Sequence, residues 1–183
     1  MKGKVMNFEK TFKTLLEESY TYGLVPRPVA IVCVKENPFT VANHTPVNKN
    51  PFIYAVAVDK ENYSYNLILE SDNFSVNFLP YQYLEEIHKI GKTHGNQVNK
   101  WEITKLNHQK GLSIDSLIIT DSLIIYECQK LNVIDFTDHC LVFGKVVLKH
   151  YKKGYLKPSK IRYTLFHGKN LYSTHKKPKY VKI

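Results

Sequence analysis

The sequence predicts a mainly β protein with flanking helices, folded as an antiparallel barrel or sandwich. Three observations carry this expectation. Apolar runs of strand length recur at 28–34, 52–58, 74–79, 117–119, 123–134 and 141–148. The last three follow one another too closely for crossover helices, so they read as antiparallel neighbours and not as a doubly wound sheet. Helical patterning is confined to three segments, 8–19, 62–70 and 81–90.

Taken in order, Asn7 can cap a helix over 8–19 whose Phe8, Phe12, Leu15 and Leu16 share one face, and Gly23 marks the following turn. Pro26 and Pro28 each push the preceding residue into extended conformation, so Val25 and Arg27 are straightened. Pro28 then begins a buried strand, Val29-Ala30-Ile31-Val32-Cys33-Val34. Asn37-Pro38 reads as a turn, with Phe39 to Ala42 starting the next strand. Asn43 to Pro51 is polar and holds two prolines, so it reads as a loop. Phe52 to Val58 is apolar on both faces, as a central strand covered on both sides would be. A short helix over 62–70 precedes the strand Phe74 to Leu79. Tyr81 to Ile90 places Leu84, Ile87 and Ile90 on one helical side. His94 to Thr104 is polar and holds Trp101, the only tryptophan. The strands 117–119, 123–134 and 141–148 follow, with a hairpin turn at Asp135 to Asp138. Beyond Lys149 the chain is basic and aromatic, with short strands near 162–166 and 171–172.

At 183 residues the chain fits one domain, 1–183, with a barrel over about 20–172 and a basic tail at 173–183. The net charge of +10 favours anionic partners such as nucleotides, nucleic acid or a membrane surface. The charge is spread along the chain, and all but Arg27 and Arg162 of the 26 basic residues are lysine. Lysine supplies point charge without bidentate base reading, and no nucleic-acid-binding motif accompanies it, which speaks against nucleic acid. Cys33, Cys128 and Cys140 each lie in an apolar stretch with no CxxC or His/Cys metal spacing, so buried, reduced thiols and a cytoplasmic location are expected. No apolar run is long enough to span a bilayer.

Five places carry residues suited to chemistry, and each also has an ordinary reading. Arg27 sits between two prolines at the mouth of a strand, where a stiffly held guanidinium suits a phosphate or carboxylate; a surface salt bridge is the alternative. Asn43-His44-Thr45-Pro46-Val47-Asn48 offers amide, imidazole and hydroxyl groups that can bond the polar edge of a planar heterocycle, or simply one another. Asn62, Ser64 and Asn66 cluster at a helix start, as an anion site or as plain capping. Lys100-Trp101 sets a cation beside a large aromatic that is either a ligand contact or a core plug. Asp138-His139 pairs a carboxylate with an imidazole at the start of a strand, to bind an anion, pass a proton or merely close a hairpin. No P-loop, GxGxxG or Ser/His/Asp triad pattern is present, so a hydrolase or P-loop kinase has no support.

The order of these pieces resembles the flavin-reductase-like family of FMN-binding split β-barrels. PRPVAIVCV (26–34) is similar to its first long strand, and ANHTPVNKNPFIYAVAV (42–58) to its ring-cradling loop and the next strand. ENYSYNLILESDNFSVNFLP (61–80) is similar to its phosphate-side helix and F-x-V-N strand. NKW (99–101) is similar to its Asp-Lys-Phe motif, DHCLVFGKV (138–146) to its Asp-His…Phe-x-Gly-x-Val strand, and FHGKNLY (166–172) to its closing turn. The resemblance implies an antiparallel, Greek-key-like split barrel holding FMN, with FAD as the variant, at a homodimer interface. It implies hydride transfer from NAD(P)H to flavin N5, or reduction by a redox partner protein in a flavoredoxin-like carrier, with a non-catalytic flavin- or nucleotide-binding module of this fold as the alternative. By position, Asn43 to Asn48 would line the ring and ribityl chain. Asn62, Ser64 and Lys100 would hold the phosphate, with Arg27 and Trp101 as further cofactor contacts. His139 would stand on the nicotinamide side as the one catalytic candidate.

Overall fold

A computed structural model describes residues 25–154 and 161–175. The helix expected over 8–19 and the basic segment beyond 175 lie outside the described residues. The strands in chain order are β1 (Arg27–Pro28), β2 (Ala30–Val34), β3 (Asn37–Val41), β4 (His44–Lys49) and β5 (Phe52–Asp59). After helix α1 (Tyr63–Glu70) come β6 (Asn73–Phe78), a 3₁₀ turn at Tyr81–Tyr83 and helix α2 (Leu84–Lys92). Then follow β7 (His108–Lys110), β8 (Leu117–Ile119), β9 (Ile124–Asp135), β10 (His139–Tyr151), β11 (Thr164–Phe166) and β12 (Tyr172–Thr174).

Seven strands form one antiparallel sheet in the order β3-β2-β6-β9-β10-β5-β4. β1 joins β11 and β12 in a small sheet, and β7 pairs with β8. The large sheet is rolled. Phe39 and Val41 from one edge strand share a core with Tyr54, Val56 and Val58 of β5, which lies near the other edge. Ala30, Val32, Phe74, Val76, Cys128 and Val142 fill the space between, and Ile68 of α1 plugs it. The edges β3 and β4 do not pair with each other, so the barrel is split.

β2 is covered on both faces. Ala30, Val32 and Val34 point into the barrel, while Val29, Ile31 and Cys33 join a second core with Leu79, Ile87, Ile90 and Ile119. This two-sided burial explains its unbroken apolar run. Ile87 and Ile90, three residues apart on α2, are 2% and 1% exposed and press that helix onto β2. Each contributes about 1.5–3 kcal/mol by leaving water. Buried Asn77 locks the layers together. Its amide donates to the Ile31 carbonyl at 3.1 Å and to Ser75 Oγ at 2.7 Å, and its Oδ1 accepts from Ile119 N–H at 2.9 Å. Glu127, wholly buried, accepts from Leu112 N–H, Ser113 N–H and His150 Nε2, which ties the β7–β8 connection to the barrel wall.

The structure differs from expectation at four places. Asn37-Pro38 is not a turn but the start of β3; the chain reverses one step earlier, at Lys35-Glu36. Most of the expected 43–51 loop is strand β4, with a bulge between Pro46 and Asn48. Both prolines are tolerated because β3 and β4 are edge strands, where a missing N–H breaks no ladder. β5 is covered fully only on its inner face, and Ile53 and Ala57 are half-buried. The exposed β7, His-Gln-Lys, carries no apolar signal and is held by pairing with buried β8. All three cysteines are free and buried, as expected.

Gly144 lies on β10 where it crosses Phe74. A Cβ there would stand 2.5 Å from Phe74 Cζ and 2.8 Å from Cys128 Cβ. Gly144→Ala is therefore expected to lower stability by about 1–3 kcal/mol through overpacking. Urea unfolding checks this, and an unchanged midpoint would contradict the packing.

Candidate functional site

β3 is an edge strand, and the concave surface of the molecule gathers along it. Near its N-terminal half a pocket is lined by Thr40, Asn62, Tyr63, Ser64, Gly91, His94, Gly95 and Lys100. Farther along, Thr40, Val41 and Ala42 border a second pocket closed by Gly91, Phe166 and Tyr172, with Lys92 and Lys169 beside it. The two share Thr40 and Gly91, so they form one cleft along the strand. Close packing shapes its wall. A Cβ at Gly91 would meet Thr40 Oγ1 at 2.8 Å, and one at Gly95 would collide with the Asn37 side chain and crowd the Tyr63 ring.

The first pocket gathers groups whose chemistry suits an anion. In the first turn of α1, Tyr65 N–H donates to the Asn62 carbonyl at 2.9 Å, which leaves the Tyr63 and Ser64 N–H groups at the positive end of the helix dipole. Asn62 stands at the N-cap, but its side chain makes no cap hydrogen bond. Ser64 is 4% exposed, and its hydroxyl oxygen accepts from Asn37 Nδ2 at 3.2 Å. Lys100 is 5% exposed and donates to the Pro38 carbonyl at 2.9 Å. Among the described residues no carboxylate pairs with it. Burial lowers its pKa to about 8, partly offset by the Cys33 thiol nearby. A buried ammonium, a hydroxyl and a helix N-terminus in one pocket suit a phosphate group, whose charge would complete that of Lys100.

The residues singled out from the sequence divide into four groups. Asn62, Ser64 and Lys100 converge in the anion pocket, and Trp101 lines the groove beside it. Trp101 also packs as part of the second core, with its ring stacked on His108 at 4.0 Å and its Nε1–H donated to the Glu36 carbonyl. Arg27, Asn43 and His44 form a separate cluster past the far end of β3. There Arg27 Nη1 donates to Asn43 Oδ1. His44 is held on both sides: its Nε2–H donates to the Pro28 carbonyl at 3.0 Å, and its Nδ1 accepts from Tyr54 Oη at 2.7 Å. Burial lowers its pKa, with the Pro28 bond opposing, so the imidazole is a neutral structural joint. Thr45, Pro46, Val47 and Asn48 stand exposed on β4, and Asn48 Nδ2 donates to the Pro51 carbonyl. His139 begins β10 outside the cleft of its own chain. Its Nδ1 lies 3.2 Å from Asp138 Oδ1, and that hydrogen bond holds the Asp138 carboxyl below its usual range.

Thr40, Gly91, His94 and Gly95 also line the pocket, and the sequence reading did not single them out. The available signal was His94-Gly95, an imidazole and a small residue shortly before Lys100. The second pocket owes its wall to Phe166 and Tyr172, whose partnership with β3 is not local in sequence.

A rolled, split antiparallel barrel with a cationic pocket on its open edge defines the flavin-reductase-like split-barrel class. Residues 22–174 match the model of the flavin reductase like domain, and the chain belongs to that family. Solved structures share the fold. The FMN-binding protein from Thermus thermophilus superposes with a TM-score of 0.82 at 23% identity, over 93% of this chain and 98% of that one. Flavoredoxin from Methanosarcina acetivorans gives 0.79 at 20% identity, over 93% and 95%. A Streptomyces globisporus NADH:FAD oxidoreductase gives 0.73 at 17% identity, over 86% and 89%. No curated protein matches the chain.

The lowered Lys100 pKa has a measurable consequence. Below about pH 8 the folded and unfolded states both hold its proton, and the buried charge costs stability. Between about 8 and the ordinary lysine value of 10.5 the folded state has released the proton while the unfolded state keeps it, so this group makes stability rise with pH. The buried Cys33 thiol, raised from 9.0 to about 12, acts in the opposite direction and is common to wild type and variant. Lys100→Met removes this pH-dependent contribution along with the donor to the Pro38 carbonyl, so its stability relative to wild type is expected to be highest below about pH 8 and to fall as pH rises toward 10.5. Urea unfolding across that range tests it; a pH-independent difference would contradict it.

Proposed function

We propose that this chain binds FMN without a covalent link and works as a flavin-dependent oxidoreductase, taking hydride from NAD(P)H. Family membership supports a flavin-binding oxidoreductase in general terms. The observation that carries the FMN reading is Lys100: a buried ammonium with no carboxylate partner among the described residues, facing the same pocket as Ser64 and the α1 N-terminus. The flavin's phosphate would meet Ser64, the first-turn N–H groups and Lys100. Its ribityl chain and ring would follow β3 toward Asn43, with the 43–48 segment and Arg27 at the ring end. Since the His44 imidazole is committed to Tyr54 and Pro28, that segment would act through backbone groups and its other side chains. A flavin held there would supply the redox chemistry, as acceptor of the hydride that NAD(P)H gives up. The protein's own task is to orient both rings and offset developing negative charge, for which no general base is needed.

We further propose a homodimer. The outer face of the β9–β10 hairpin leaves Leu131, Ile134, Phe136 and Val147 between 40% and 58% exposed. His139 would serve the nicotinamide side of the assembled protein.

The visible spectrum of purified protein, followed by NADH or NADPH without air, tests the reading. Bound flavin that bleaches supports a reductase and names its donor; flavin that stays oxidised points to a carrier fed by another protein. No flavin bound, even on titration, overturns the proposal. Ser64→Ala is expected to weaken FMN binding by about 1–3 kcal/mol and to leave riboflavin, which lacks the phosphate, unaffected. Equal effects on both ligands would remove Ser64 from the phosphate site. His139→Ala is expected to slow NAD(P)H oxidation more than it weakens FMN binding; an equal loss of both would make His139 structural.

A further inference from the structure

A separate cavity of about 230 Å³ lies between the β7–β8 pair and the ends of β9 and β10 that pair with each other. None of its lining residues borders the pockets along β3. Its floor is aliphatic. Ile118, Leu123 and Ile125 are 3%, 3% and 6% exposed yet belong to neither core. Leu117 and Ile119 of β8 join the second core, so Ile118 between them faces the other way, toward the cavity.

Three polar residues line the same cavity. Ser122 is 4% exposed, and its hydroxyl makes no hydrogen bond among the described residues. A buried hydroxyl left unpaired is costly and uncommon, and it marks a place where a ligand atom completes the bonding. His150 Nε2–H donates to Glu127 Oε1 at 2.7 Å, and the wholly buried Glu127 is itself fixed by the Leu112 and Ser113 N–H groups. The bond to Glu127 orients the ring and leaves Nδ1 without a partner among the described residues. Lys152 adds an ammonium that makes no ion pair among the described residues. No Asp or Glu lines the cavity. Glu127 is taken up by His150 and the two backbone donors, and the nearby Asp121 carboxylate is committed to Asn107 and Tyr83.

We propose that this cavity binds a small monocarboxylate with a short aliphatic chain. The carboxylate would accept from the Ser122 hydroxyl, the Lys152 ammonium and His150 Nδ1–H, the ring as imidazolium donating from its other nitrogen to Glu127. The chain would lie on Ile118, Leu123 and Ile125, out of water. The cavity is smaller than the roughly 300–1,000 Å³ of sites for drug-sized molecules, so a short chain fits and a dinucleotide does not. The inference is independent of the flavin reading, because the two sites share no residue.

Hexanoate is the probe, and hexanol, which keeps the chain and lacks the charge, is the control. Both are titrated against the full chain by saturation-transfer NMR, as wild type, Ser122→Ala and Lys152→Gln. Neither substitution removes a bond that the fold uses: the Ser122 hydroxyl has none, and Lys152 bonds the Leu123 carbonyl through its backbone N–H. Wild type is expected to bind hexanoate about tenfold or more tightly than hexanol. Each variant is expected to weaken hexanoate about three- to tenfold and to leave hexanol within about twofold. Absence of hexanoate binding overturns the proposal. Equal affinity for hexanol makes the cavity merely apolar and overturns it too. Unchanged hexanoate affinity in either variant places the carboxylate elsewhere, such as beside Lys100, and refutes the assignment.

Discussion

The bond from Lys100 to the Pro38 carbonyl is the contact on which the candidate site depends. Pro38 has no N–H to give the ladder, and its Cα partner on β2 is Cys33. In an antiparallel pair of that kind the proline carbonyl faces away from the partner strand, outward along the sheet edge. An outward carbonyl on an edge strand needs a donor when it is buried. Lys100 supplies it and thereby places an ammonium against the cleft. The edge is blunted and the anion pocket is charged by one side chain. The cost is a buried cation whose pKa falls to about 8, a strain that a bound phosphate would relieve.

That arrangement holds because the layers behind it are rigid. β2 carries one core on each face, so β3 cannot shift without disturbing both. Asn77 and Ser75 bond across to β2 and β8 from inside the second core, and every one of these bonds is buried. Buried polar networks that are fully satisfied specify a single packing. The second core seats α2, and α2 brings Ile90 and Gly91 to the pocket wall. Close approach at Gly91 and Gly95 then sets the width of the cleft.

The split in the barrel gives the site its shape. A closed barrel has no free edge, and a flat sheet has no concave one. Here seven strands roll around Phe74, Val56 and Val32 yet leave β3 unpaired on its outer side. α1, α2 and the segment from His94 to Trp101 fold over that side and enclose the cleft. The pocket at Ser64 and Lys100, the pocket at Phe166 and Tyr172 and the groove beside Trp101 are therefore successive stretches of one edge.

Much of this was legible in the chain itself. Apolar runs marked the long strands, Ile87 and Ile90 marked the buried face of α2, and Asn62 with Ser64 marked a helix start. These are local signals, because side-chain periodicity and helix ends depend on near neighbours in sequence. The ordered motifs from 26 to 172 also carried the family, which the match over 22–174 shows. Tertiary structure alone decided which strands were edges. For that reason Pro38 and Pro46, which read as loop markers, lie within β3 and β4. It set Lys100 and Ser64 in one pocket across 36 positions of chain, which only the family resemblance had implied, and it alone committed His44 to Tyr54 and Pro28. Proline's meaning depends on whether a strand has a neighbour, and a lysine's on what it is buried against; neither is a property of the residues beside it.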